Sequence, residues 1–107
     1  MTTTYDFGNV PVPAHRHLNP DGSLGGWVAD TATVAPTARI GENARVYDTA
    51  RVSGNAWVFG NAKVFDNAEV SGNAWVFGNA QVSDNAEVFG HAKVFGNEWV
   101  SGESVLV

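Results

Sequence analysis

The eleven residues VSGNAWVFGNA at positions 52–62 return unchanged at positions 70–80. The shift is eighteen residues, and a shorter period of six runs inside it. Outward from this stretch an aliphatic residue holds every sixth position: Val28, Val34, Ile40, Val46 and so on through Val100 to Leu106. Two places before it, from Ala32 to Ala92, stands alanine, and Glu98 takes that place before Val100. The unit reads V-x-[GD]-N-A-x. The alternation Ala-x-Val turns alanine and valine to one face of a short strand and the residue between them to the other. Gly, Asp and Asn in the gap tolerate the positive-φ geometry of a corner. Six residues therefore make one side and eighteen make one coil.

Other columns keep the longer period: Trp57 with Trp75, Phe59 with Phe77 and Phe95, and Asn43 with Asn61, Asn79 and Asn97. Stacked about 4.8 Å apart by parallel backbone hydrogen bonds, such coils turn columns into surfaces. The expected fold is all-β: a parallel β-helix of triangular cross-section with about 4.5 coils over residues 27–107. Residues 1–26 depart from the repeat and are expected to form an N-terminal cap. Within them Leu18-Asn-Pro-Asp-Gly-Ser-Leu24 has the chemistry of a tight hairpin. A cap is expected because open strand edges invite end-to-end association. Glu98 in an alanine column would be unfavourable inside an intact stack and marks the last coil.

The unit resembles the hexapeptide repeat of left-handed parallel β-helix proteins, and the likeness covers residues 26–107. The left hand is implied by that resemblance alone, since the general rule for parallel crossovers gives the right hand. Proteins of this kind include acyltransferases and γ-class carbonic anhydrases, commonly homotrimers. The regular G-N-A-x-V form is most similar to short hexapeptide proteins of phage and bacteria.

Composition narrows the function. The 107 residues contain no cysteine and carry a formal net charge of −5, which disfavours nucleic-acid backbones as partners. No apolar run is long enough for a membrane span, and the N-terminus lacks signal-peptide character, so a cytoplasmic protein is expected, in the host cytoplasm if viral. No insertion interrupts the register from Trp27 to Val107 where a catalytic base could sit, and no phosphate loop or nucleophile–histidine pair is recognisable. Neither a cofactor nor a resident metal is expected. A γ-carbonic-anhydrase zinc site needs three histidines, and the repeats supply only His91.

The leading candidate is an aromatic surface. Trp57, Phe59, Trp75, Phe77 and Phe95 flank the inward valines of one side, and Tyr47 and Phe65 those of a neighbouring side. Large aromatics bury about 150–250 Å² each, so five of them exceed the apolar patch a monomer normally shows. These seven are the expected oligomer interface, a trimer by the resemblance. Ligand contacts are expected from His15, Arg16, His17, Arg45, Arg51, Lys63, His91 and Lys93, as cations suited to a small anionic metabolite or nucleotide. The Asp30, Asp48, Asp66 and Asp84 column reads as turn chemistry, with a bound cation as the alternative. The expected function is a non-catalytic oligomeric binding protein for such a metabolite or a protein partner, a phage-encoded sequestering or inhibitory protein being one form of it. A reduced acyltransferase with an inter-subunit site, and a structural tail or spike component, are the alternatives.

Overall fold

The computed structural model describes residues 3–8 and 10–107, and among them every regular element is a strand. Three longer strands come first: β1 (Thr4–Asp6), β2 (Pro11–Leu18) and β3 (Leu24–Ala29). Two-residue strands follow at every sixth position in three parallel sheets. One runs from β3 through β6 (Arg45–Val46), β9 (Lys63–Val64) and β12 (Gln81–Val82) to β15 (Trp99–Val100). A second stacks β4 (Thr33–Val34), β7 (Arg51–Val52), β10 (Glu69–Val70), β13 (Glu87–Val88) and β16 (Val105–Leu106). The third stacks β5 (Arg39–Ile40), β8 (Trp57–Val58), β11 (Trp75–Val76) and β14 (Lys93–Val94). Partners in register lie eighteen residues apart, as Trp57 with Trp75 and Glu69 with Glu87. The chain is a parallel β-helix of about four turns, one sheet to a side.

The repeat explains the packing. Val46, Val52, Val58, Val64, Val70, Val76, Val82 and Val88 are at most 1% exposed, and Ala38 through Ala86 are fully enclosed. Each buried valine contributes about 1.5–3 kcal/mol of apolar burial. Its branched Cβ suits the pleated wall, while alanine's single methyl fits where the chain turns. Each coil bonds to the next through the backbone, as when Trp57 N–H donates to Ala74 O (3.0 Å) and Phe59 N–H to Val76 O (2.9 Å).

Corners follow two solutions. At two of the three, glycine takes a positive φ, 62–69° from Gly54 to Gly96. At the third, Asp48, Asp66 and Asp84 take φ of 56–58°. Asp66 N–H donates to the Asp48 carboxylate (3.2 Å), Asp84 N–H to Asp66 (3.2 Å) and Gly102 N–H to Asp84 (2.9 Å). The carboxylate thus offsets the strain of a left-handed residue by bonding the coil beyond. Asparagines link coils likewise, with Asn61 Nδ2 donating to Asn79 Oδ1 and Asn79 Nδ2 to Asn97 Oδ1, each at 3.3 Å.

At the first coil, β1, β2 and β3 form an antiparallel meander that continues one sheet. Its β2–β3 turn closes through Asn19 N–H to Ser23 O and Gly22 N–H to Asn19 O, both 2.9 Å, with Gly22 at φ 89°. The edge of β5 has no preceding coil, and two side chains from β2 and the turn take its place. Asn19 Oδ1 accepts from Ile40 N–H (2.9 Å), and Asn19 Nδ2 donates to Ile40 O (3.2 Å). Buried His17 donates from Nε2 to Ala38 O (2.8 Å), which fixes its tautomer. The carboxamide of Asn19 thus does what a peptide of the absent coil would do. At the far end Glu98 lies in the last coil and is exposed, so its carboxylate meets water rather than the core.

Candidate binding faces

Two aromatic columns stand on two sides of the prism. The first lies on the third sheet. Trp57 and Trp75 are register partners with ring centroids 5.5 Å apart at 74°. Beside them Phe59, Phe77 and Phe95 stack nearly parallel, with centroid spacings of 4.8 and 5.5 Å. Coil spacing dictates this: a ring repeated every eighteen residues is set at about the distance at which π-faces stack. The tryptophan pair is closed at both ends by cations, Arg39 at 5.5 Å from the Trp57 ring and Lys93 at 5.1 Å from the Trp75 ring. The face is therefore a ribbon of cation, indole, indole, cation, with a phenylalanine stack alongside. The four central rings are half-buried by one another, and Phe95 is exposed.

The second column lies on the first sheet. Tyr47 stacks on Phe65 (5.0 Å, 3°), and Phe7 from the segment after β1 stacks on Tyr47 (4.8 Å, 17°). Phe7 fits because the coil above Tyr47 carries only Ala29 at that place in the register. Tyr5 stacks in turn on Trp27 (4.9 Å), and Arg45 lies 5.7 Å from the Tyr5 ring. Between the N-terminal segment and this column opens a cleft of about 490 Å³. Phe7, Val12, Tyr47 and Phe65 form its walls, and Asp48 and Asp66 its rim. Burial first, and then the negative charges of Asp48 and Asp66, push the Tyr47 hydroxyl above the usual phenol range.

The cations expected to gather round a ligand are distributed over several surfaces of one chain. Arg45 and Lys63 share the first sheet, Arg51 lies on the second and Lys93 on the third, while His91 occupies an exposed corner. Arg51 reaches Glu69, its register partner, at 3.5 Å. Exposed His15 bonds Asp30 (2.8 Å), and Arg16 donates from Nε to Gly25 O (2.9 Å). With His17 holding the Ala38 carbonyl, the N-terminal trio is engaged in bonds within the meander and from it to the first coil. Asp30 consequently stands apart from the Asp48–Asp66–Asp84 ladder. Among the described residues no set of three or more His, Asp or Glu is grouped to hold a metal. Sequence reasoning missed Arg39, whose place eighteen residues before Trp57 was a readable signal, and the placement of Phe7, which carries no periodic mark.

Comparison with protein-family models, with curated proteins and with solved structures finds no match. No helix among the described residues is long and apolar enough to cross a membrane.

Proposed function

We propose that this chain is a non-catalytic binding protein that acts as a homo-oligomer through the Trp57–Trp75 face, with a small aromatic anion of nucleotide type held in the groove beside that face. The observation that carries the reading is the ribbon Arg39–Trp57–Trp75–Lys93. Edge-to-face indoles supply apolar area suited to burial against a second copy. Cations at both ends discriminate in favour of a ring bearing negative charge. The resemblance to hexapeptide-repeat proteins favours a trimer, a phage or bacterial origin and a cytoplasmic setting. Uniform eighteen-residue coils favour a rigid scaffold over an enzyme.

Native mass spectrometry tests this in one measurement, because it reports subunit number and any co-purified small molecule together. The protein should appear as an oligomer, and the double variant Trp57→Ser/Trp75→Ser should shift it to monomer while leaving the coils intact by circular dichroism. Loss of two central aromatics of an interface typically weakens association by about 2 kcal/mol or more for each. A dilute monomer for the parent protein, or unchanged assembly of the variant, would remove the proposal.

A further inference from the structure

The cleft on the first sheet differs in chemistry from the cationic ribbon. Its walls are apolar and aromatic, with the rings of Phe7, Tyr47 and Phe65 in one continuous stack. Its rim is anionic. Asp48 and Asp66 each use Oδ2 to hold the next coil's N–H, and no protein donor meets either Oδ1 among the described hydrogen bonds. Asp30, the third carboxylate on the lining, is taken by His15. Arg45, on the same sheet, lies over the Tyr5 ring. The volume, about 490 Å³, falls in the range that holds a small organic molecule.

We infer that this cleft is a binding site for a small organic ammonium ion with an apolar body, its cationic head between the Asp48 and Asp66 carboxylates and its body against the Phe7–Tyr47–Phe65 stack. Two features select this class together. A π-face attracts a cation, most strongly where water is partly excluded. Carboxylates at the rim repel an anion and leave a neutral molecule without a counter-charge. Burial first, and the two aspartate charges after it, hold the Tyr47 hydroxyl above the usual phenol range, so the ring faces the cleft as a neutral phenol. The site is formed by one chain and does not depend on the oligomer proposed above.

Titrations followed by amide chemical shifts, with benzyltrimethylammonium, benzyl alcohol and phenylacetate as probes, test it. Benzyltrimethylammonium should perturb Tyr47, Phe65 and Asp66 and bind about tenfold more tightly than benzyl alcohol, a difference of one favourable charge contact. Phenylacetate should leave those amides unmoved. The double variant Asp48→Asn/Asp66→Asn keeps a residue tolerant of positive φ and an oxygen for the next N–H, but removes both charges. It should fold normally and lose about tenfold in affinity for the cation. Equal binding of the cation and the alcohol, an unchanged affinity in the double variant, or shifts confined to the Trp57–Trp75 face would overturn the inference. An outcome in which the cation binds while Trp57→Ser/Trp75→Ser leaves assembly unchanged would sink the oligomer reading and leave this one standing.

Discussion

Gly26→Ala should abolish the native fold, or leave the meander detached from the coils. A Cβ at Gly26 would stand 1.9 Å from Ala44 O and 2.7 Å from Gly41 O, both backbone atoms of the corner that leads into β6. No rotamer change relieves a contact with a carbonyl oxygen that is itself fixed in the stack. The strand must separate from β6, which sacrifices the Trp27–Arg45 and Val28–Val46 pairings. The expected loss exceeds about 4 kcal/mol, at the extreme of single substitutions and comparable to the stability of a small domain. Chemical denaturation followed by circular dichroism checks it. Gly102→Ala is the control: a Cβ there meets nothing within 4 Å, so only the unfavourable φ of 65° is felt, and the loss should stay near 1 kcal/mol.

Asn19→Ala should be the second most damaging change, although the residue sits in an external turn. Its carboxamide satisfies both the N–H and the C=O of Ile40, at the one place where β5 has no coil to pair with. Removal leaves a donor and an acceptor over the apolar end of the core, at about 1–3 kcal/mol for each group that stays dry. A loss of about 2–4 kcal/mol is expected, with early hydrogen exchange at Ile40. Asn19→Asp separates the two bonds: it keeps the acceptor for Ile40 N–H but sets a carboxylate oxygen against Ile40 O, so it too should be less stable than the parent. If Asn19→Ala melts like the parent, water replaces the side chain there and the capping account is wrong.

The architecture was legible because the repeat leaves little choice. Every sixth aliphatic from Ile40 to Val100 is buried, and the Trp57–Trp75 and Phe59–Phe77–Phe95 columns lie coil above coil as an eighteen-residue period requires. What the period does not mark was harder to read. Asn19 and His17 bond Ile40 and Ala38, each twenty-one residues away, where the meander and not the coil sets the distance. From sequence alone Asn19 is a turn residue and His17 a possible ligand contact, because nothing local shows that β5 lacks a partner. Phe7 likewise joins the Tyr47 column only because the chain folds back over Ala29. The ligand-contact set of cations was chosen by residue type, and the coil then distributed it over different sides. The pairing of Arg51 with Glu69 could have been read from their separation of eighteen, the same rule that gave the aromatics.

The two faces make the molecule chemically two-sided. One carries Arg39 and Lys93 around indoles, the other Asp48 and Asp66 around phenyl and phenol rings, on different sheets of one rigid prism. Both rest on one device, the repetition of a side chain at the coil period, to which the meander adds Phe7 on the second face.

That device is open to a direct chemical test, because the chain has no cysteine to interfere. Cysteines placed by Glu69→Cys and Glu87→Cys occupy register partners on adjacent coils, whose separation of about 4.8 Å lies within disulfide range. Cysteines placed by Glu69→Cys and Lys93→Cys lie on different sheets. Under mild oxidation the first pair should close within one chain while the second stays reduced. Closure of the second pair in preference to the first, or of neither, would mean that residues eighteen apart do not stack, and both faces would lose their basis.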